Sequence, residues 1–594
     1  MGARRYGHAL THAHVKSRNV LLLACLLIVA GDVLAWAIQT DRGRIDIRDV
    51  RFEGTAGTTM SALLYVPPNA TEASRAPGIL AVHGYINSRE TQDGFAIELA
   101  RRGFVVLALD QTGHGYSDPP AFANGFGGPD GLAYLRSLDF VDQDNIGLEG
   151  HSMGGWAVLL AAANTPDDYR AVVIEGSSTG TSGAPDATSD YPRNLAVVFS
   201  KYDEFSALMW GTPVPGDVPG SQKLMSAFGT TAPVEIGKVY GSVAEGTARV
   251  FYQPPVTHPA DHFSREAIGH AIDWFQTTLD GARPLAPDDQ LWYWKEVGNL
   301  VALIGMVVLL FGVGATLLES PFFRAIADAP DPSRGARGGS WWGAALLFTA
   351  LPALTLFPFK DIGAKLPVST FFPQSITNQV MVWALLTGAI SAGLFTVWHL
   401  TSGRKGGATS DDYGLTWEGR LVWSRVGSSF VLALLIASAA YASLALSAAI
   451  FTVDYRFWIF AVKPMSPLHL RMALLYLPPF VLFFGVYGTV LHGQLRRDGG
   501  TAGNMARAVV LSTLGFACLI GYQYIPLFLG GTLAIASEPL WSIIAFQFLP
   551  LMTIVGAVSA YFQQRTGHIY VGAFLSGMLV TWIVVASQAT HYAF

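Results

Sequence analysis

Two hydrophobic patterns divide the chain. From about residue 45 to 280, short apolar runs alternate with longer stretches in which apolar and polar positions interleave at helical spacing. Runs of the first kind fall at 50–53, 61–66, 78–82, 104–109, 145–148, 171–174, 195–199 and 249–252; stretches of the second kind fall at 94–102, 131–138, 154–163 and 265–278. Short continuous apolar runs bounded by turn residues read as strands buried on both faces, and the helical stretches between them as crossovers. The pattern predicts an α/β domain over residues 45–282, built on a mostly parallel sheet of eight strands.

Beyond residue 292 the alternation gives way to about eight long apolar stretches, near 297–318, 341–358, 379–400, 427–451, 472–492, 508–530, 540–562 and 567–589. Each is long enough to cross a hydrocarbon core of roughly 30 Å. Helices with no polar face have nothing to present to water, so residues 295–594 are predicted to form an all-α polytopic domain whose partner is the lipid bilayer. A further apolar run, 20–38, follows Arg4, Arg5, Lys16 and Arg18 and is interrupted by Gly31-Asp32. Residues 19–38 read either as an uncleaved signal anchor or as a secretory signal peptide with a cleavage site at Ala35-Trp36-Ala37. Both readings leave residues 1–18 in the cytoplasm and carry the α/β domain out of it.

Charge in the short loops points the same way. On the side of the N-terminus fall Arg4, Arg5, Lys16, Arg18, Arg324, Arg334, Arg337, Arg404, Lys405, Arg420, Arg425, Arg496, Arg497, Arg507 and Arg565, against Lys360, Lys365, Arg456, Lys463 and Arg471 opposite. The excess marks the cytoplasmic side. The expected product is a multi-pass cell-membrane protein with its α/β domain extracytoplasmic. Within the predicted spans the main polar groups are Gln523, Gln547 and Gln588, and ion or proton pathways usually need acids or bases there. The aromatic and basic stretch 454–464 falls on the outer side, where it suits the membrane interface.

Composition then excludes several classes. The 594 residues carry a net charge of -5, with no basic cluster interleaved with aromatics, which removes nucleic acid as a partner. The two cysteines, Cys25 and Cys518, sit far apart in apolar runs and offer neither a disulfide framework nor a zinc site. No glycine-rich phosphate loop or His/Cys metal spacing is present, so no cofactor and no metal are expected. No feature of the sequence specifies an oligomeric state.

The chemistry is concentrated in residues 78–262. Asn145-Ile-Gly-Leu-Glu-Gly150-His-Ser152-Met153-Gly154 is an apolar strand running into a Gly-x-Ser-x-Gly turn, followed by the small-residue helix at 154–163. Such a turn is so sharp that Gly150 and Gly154 must lack side chains, and it lifts the hydroxyl of Ser152 above the sheet as a candidate nucleophile. Upstream, the apolar strand at 78–82 ends in His83-Gly84-Tyr85. The backbone N–H groups of Tyr85 and Met153 are the candidate oxyanion hole for a tetrahedral intermediate. His83 is expected to be structural, and Asp110-Gln-Thr-Gly-His-Gly-Tyr-Ser117 to be a loop packing beside the site.

His83-Gly84, Asp110 to Ser117 and Gly150-His-Ser-Met-Gly154 occur in the order found in the α/β-hydrolase superfamily, which the chain resembles over roughly residues 50–280. The run 130–148 looks more like the dienelactone-hydrolase and acyl-peptidase branches than the lipases. The resemblance implies an α/β-hydrolase fold and a catalytic order of nucleophile, acid, histidine. The acid then follows the strand at 195–199: Asp203, with Glu204 as the neighbour that could replace it and otherwise a solvated loop charge. Ser200 stands where the family often has glycine. The base lies between the last strand and the closing helix, where Thr257-His258-Pro-Ala-Asp-His262 offers two histidines. Spacing to that helix favours His258, with His262 as the alternative base.

The 45 or so residues between Glu204 and Arg249, with Trp210, Pro213, Pro215, Pro219 and Phe228, form either a cap that shapes the substrate pocket or a surface excursion. The leading expectation is a membrane-embedded serine hydrolase that cleaves an ester, thioester or amide through an acyl-enzyme, acting on a small-molecule or lipidic acyl substrate. The alternatives are an acyltransferase with a lipid-linked donor or acceptor, and a transporter or sensor carrying a hydrolase-like binding domain.

Overall fold

The computed structural model describes residues 2–594, with side chains from Ser17 onward. Met1 and the side chains of Arg4, Arg5 and Lys16, which enter the orientation count and the cytoplasmic assignment of residues 1–18, lie outside the described part. The chain begins with helix α1 (Gly2–Gln39) and forms two compact units. One comprises residues 33–298, 522–540 and 587–594; the other comprises residues 1–32, 299–521 and 541–586.

The first unit is built on eight strands: β1 (Asp46–Glu53), β2 (Thr59–Val66), β3 (Ala76–Val82), β4 (Val105–Asp110), β5 (Val141–His151), β6 (Ala171–Glu175), β7 (Leu195–Val198) and β8 (Arg249–Tyr252). Their order across the sheet is β1-β2-β4-β3-β5-β6-β7-β8. β1 and β2 pair antiparallel with each other, β2 pairs antiparallel with β4, and every later pairing is parallel. The predicted strands are all present, and β1 and β5 start earlier than their apolar runs because polar, only partly covered residues open β1 and, after the buried Val141, fill positions 142–144 of β5.

Successive side chains point to opposite faces, so each parallel strand feeds two cores. Leu80, Val82, Leu107, Leu109, Val172 and Ile174 join one; Ile79, Ala81, Val106, Ala108, Ala171 and Val173 join the other. Helix α2 is Asp93–Arg101, α3 is Gly128–Ser137 and α4 is Met153–Asn164. The second core is closed by α2 and the last helix of the domain. Between β7 and β8 lie the short helices α5 (Ser206–Trp210) and α6 (Gln222–Ala227), and after β8 comes α7 (Arg265–Thr278). Met209, Trp210, Val218, Leu224 and Phe228 are buried in the first core, so the segment after Glu204 is packed structure rather than a loose surface excursion.

The second unit is helical. Its helices are α8 (Tyr293–Leu318), α9 (Gly338–Gly363), α10 (Ser375–Trp398), α11 (Trp423–Phe451), α12 (Pro467–Thr489), α13 (Thr501–Phe528), α14 (Pro539–Thr566) and α15 (Tyr570–Ser587), some of whose ends belong to the first unit. Among the described residues nine helices are long and apolar enough to cross a membrane: Ser17–Gln39 and these eight. Several begin before their apolar runs because polar first turns, such as Ser375-Ile-Thr-Asn-Gln, are helical as well. α1 packs closely on α8, where a Cβ on Gly305 would stand 2.8 Å from Ile28 and one on Gly312 2.9 Å from Leu21. Small residues of this kind let apolar helices approach. Asp32, in the first apolar run, is buried and accepts a hydrogen bond from Ser447 Oγ, which also meets the Tyr455 hydroxyl at 2.8 Å. The stretch 454–464 forms the hairpin β9 (Tyr455–Phe457) and β10 (Phe460–Val462), and Arg456 is buried against Asp454 rather than presented as an interfacial charge.

Candidate active site

The turn between β5 and α4 holds Ser152 at φ 55° and ψ −120°, a left-handed conformation that side chains other than glycine rarely adopt. The glycines around it are required by close approach. A Cβ on Gly150 would lie 2.3 Å from the Gly154 carbonyl oxygen, and one on Gly154 would lie 1.9 Å from the carbonyl oxygen of Val82. The Ser152 N–H donates to Glu175 O at 2.8 Å, and Ser177 Oγ donates to Ser152 O at 2.6 Å, which pins the strained turn against β6. Gly154→Ala is expected to destabilise the protein by about 3 kcal/mol, since the new methyl meets backbone rather than a movable side chain. Thermal unfolding of the purified variant measures this, and a wild-type Tm would contradict it.

Gly150 pairs with Val82 of β3 and Ile174 of β6, so Ser152 emerges at the C-terminal edge of the central strands. The chain leaving β3 passes directly over it: a Cβ on Gly84 would be 3.0 Å from Ser152 Cβ. Tyr85 follows Gly84, and Met153 is the first residue of α4, where unpaired N–H groups and the helix dipole favour negative charge. His83 is fully buried; its Nδ1 donates to Gly84 O at 2.7 Å and its Nε2 accepts from Gln111 N at 3.1 Å. Both ring nitrogens thus serve the loop. Asp110 accepts from Ser61 Oγ at 2.9 Å and from the N–H groups of Arg89 and Tyr116, tying β2, the turn that leads into α2 and the glycine-rich loop together.

The loops after β7 and β8 meet. Asp203 is 1% exposed and His258 5% exposed, and His258 Nδ1 donates to Asp203 Oδ2 at 2.8 Å. The other carboxylate oxygen of Asp203 accepts the Phe205 N–H at 2.7 Å. With Nδ1 carrying the proton, the neutral ring has its lone pair on Nε2. Burial pushes the His258 imidazole down, but Asp203 first, then Glu204 and Asp261, outweigh it and hold the ring above its ordinary value.

His262 occupies a different place. Its Nε2 donates to Gln92 Oε1 at 2.8 Å, and Gln92 in turn donates to Val82 O and Glu149 Oε2. The ring lies 4.0 Å from that of His151, centroid to centroid. His151 Nε2 donates to the backbone carbonyl of His258 at 2.9 Å, so the residue before Ser152 also holds the His258 loop. Burial, followed by the neighbouring His262 and His258, keeps His151 neutral by pushing its ring well below the usual value.

Three features of the site were not apparent from sequence. Ser200, the departure from the family's glycine, is fully buried and donates to Asp261 Oδ1, anchoring the loop that carries His258. Glu204 is not a solvated charge: it is 8% exposed, and its Oε2 accepts the His258 N–H at 2.8 Å. Burial first and the Asp203 charge second push its carboxyl up to about 7. Glu149 and Glu175, fully buried beneath the turn, are likewise held well above the carboxylate range by burial. The shared signal was weak, because each of these groups is a polar residue within or soon after an apolar strand.

Residues 77–205 match the family described as alpha/beta hydrolase fold. The sequence is 32% identical over 143 residues to dipeptidyl peptidase 8 of Homo sapiens, an alignment covering 21% of this chain and 16% of that protein. It is 34% identical over 108 residues to 2-(acetamidomethylene)succinate hydrolase of Mesorhizobium japonicum, covering 18% of this chain and 37% of that one. Among solved structures it is similar to dienelactone hydrolase from Anabaena variabilis, with 18% identity, 40% of this chain and 99% of that chain covered, and a TM-score of 0.28. The chain therefore spans about a sixth of the length of the dipeptidyl peptidase it matches. Its first unit has the α/β-hydrolase fold, with the eight-stranded, mostly parallel sheet described above.

Proposed function

We propose that the protein is a membrane-embedded serine hydrolase that cleaves an ester, thioester or amide through an acyl-enzyme. The observation that carries this reading is the 2.8 Å hydrogen bond between His258 Nδ1 and Asp203 Oδ2, on loops at the same sheet edge as the strained turn of Ser152. In this reading the Ser152 hydroxyl attacks the acyl carbon and gives its proton to His258 Nε2. Asp203 holds the ring in the required tautomer and stabilises the imidazolium. The N–H groups of Tyr85 and Met153 bind the oxyanion. The imidazolium then protonates the leaving group, and water, deprotonated by the same ring, releases the acid.

The nine apolar helices support placement in a bilayer, and the packing of α1 on α8 favours a retained anchor over a cleaved leader. The loop charges favour a hydrolase domain on the extracytoplasmic face. Protease added to intact cells is expected to cleave within residues 45–282; complete protection of that segment would refute the orientation. For the chemistry, purified full-length protein is expected to be labelled by a fluorophosphonate and to hydrolyse p-nitrophenyl esters. A protein inert to both is not a serine hydrolase.

A further inference from the structure

Two stretches remote in sequence belong to the hydrolase unit, residues 522–540 and 587–594. Each ends on one half of the proposed machinery. Tyr524, 3% exposed, donates its hydroxyl to Glu204 Oε1 at 2.7 Å, while the other oxygen of the same carboxylate accepts the backbone N–H of His258. Phe528, one turn on, meets the ring of Tyr202 edge-on with centroids 5.3 Å apart. The stretch is itself braced: Gln523 Oε1 accepts the Ile535 N–H at 2.8 Å and its backbone carbonyl accepts that of Ala534.

The second stretch lies at the opposite side of the site. Thr590 N–H donates to Gly113 O at 2.8 Å and Thr590 O accepts from Ala121 N–H at 2.7 Å, so its main chain bridges Gly113 and Ala121. The fit is close, for a Cβ on Gly113 would stand 2.5 Å from Thr590 O. The next residue, His591, meets the Tyr85 hydroxyl through Nε2 at 3.0 Å and packs edge-on against Phe122 with centroids 5.2 Å apart. Burial lowers its ring to about 4, so at neutral pH it is uncharged and Nε2 is suited to accept from Tyr85. Tyr85 is the residue whose N–H is read as an oxyanion donor.

We infer that Tyr524 and His591 are positioning residues for the hydrolase reaction, Tyr524 fixing the His258 backbone through Glu204 and His591 fixing the oxyanion loop through Tyr85. The inference rests on the serine-hydrolase reading above. Neither side chain takes part in bond making. Each removes a soft degree of freedom from a group whose placement sets the rate, and misplacement of about 1 Å in such a group costs up to roughly 100-fold. A consequence is that residues 45–282 alone lack both supports, and the hydrolase depends on chain that follows most of the apolar helices.

The test uses full-length protein in detergent micelles, with kcat and KM for p-nitrophenyl acetate, the fluorophosphonate labelling rate and the Tm all measured. Tyr524→Phe and His591→Ala are each expected to lower kcat and the labelling rate by roughly 10- to 100-fold with KM changed less than about two-fold. His591→Gln, which keeps a hydrogen-bond partner for Tyr85, is expected to recover most of that loss at the same Tm as His591→Ala. Wild-type kcat in both Tyr524→Phe and His591→Ala overturns the inference, as does loss of activity only in step with a falling Tm. The two failures are separable: if wild type is active and Ser152→Ala is not, unaffected Tyr524 and His591 variants sink this inference alone, whereas an inert wild type sinks the hydrolase reading.

Discussion

Ser152→Ala is expected to abolish turnover in the full-length protein, lowering kcat by about 10⁶-fold, the scale seen when a serine nucleophile that acts as a unit with its base is removed. Fluorophosphonate labelling is expected to vanish with it. The specificity of the expectation comes from the surroundings. Neighbouring hydroxyls are committed elsewhere: Ser177 Oγ donates to Ser152 O, Ser200 Oγ to Asp261, and Ser117 Oγ to Asp110 O. The backbone at position 152 is strained by its positive φ, a cost of about 1–3 kcal/mol. Ser152→Gly relaxes that strain, so it is expected to be as inactive as the alanine variant and no less stable than wild type. Labelling of Ser152→Ala at the wild-type rate would remove Ser152 from the mechanism.

The legibility of this chain follows from where its information is local. Parallel strands buried on both faces must be continuously apolar, so β3, β4, β6 and β7 stand out as short runs, and the glycines at 150 and 154 mark the turn because backbone approaches leave no room for a side chain. The apolar helices are legible for the same reason, since few polar residues interrupt them over a bilayer's thickness. The polar starts of β1 and β5 and the first turns of several helices were not legible, because hydrogen bonding, not hydropathy, sets those boundaries.

Contacts across the chain are another matter. Glu204 reads from sequence as a rival to Asp203 or a solvated charge, and only the fold shows that it is buried and holds the backbone of His258. Nothing local to Tyr524 or His591 announces a partner 320 or 506 residues away. Likewise the bond from His151 to the His258 carbonyl requires β5 and the loop after β8 to be neighbours at one sheet edge. Residue types that follow strand ends in a fixed order can be read; side chains that brace those residues from elsewhere cannot.

The two histidines of the 257–262 segment are expected to separate by several orders of magnitude. His258→Ala should lower kcat by about 10⁶-fold, close to the loss for the nucleophile itself, and Asp203→Asn by about 10⁴-fold through the wrong tautomer. His262→Ala should stay within about ten-fold, because its Nε2 is bonded to Gln92 and its ring supports His151 rather than meeting Asp203. The pH dependence gives a second signature. Only the neutral imidazole accepts the serine proton, and the acids around His258, namely Asp203, Glu204 and Asp261, hold its ring above the ordinary value. The acid limb of kcat/KM is therefore expected above the usual imidazole range, with activity rising as pH rises through it. Glu204, whose carboxyl is pushed up to about 7, carries only part of a negative charge over the limb, so Glu204→Gln is expected to lower the His258 value slightly and move the limb modestly toward lower pH. The neighbouring His151 is neutral throughout that range and contributes no compensating change. A His262→Ala variant less active than His258→Ala would assign the base to His262 instead.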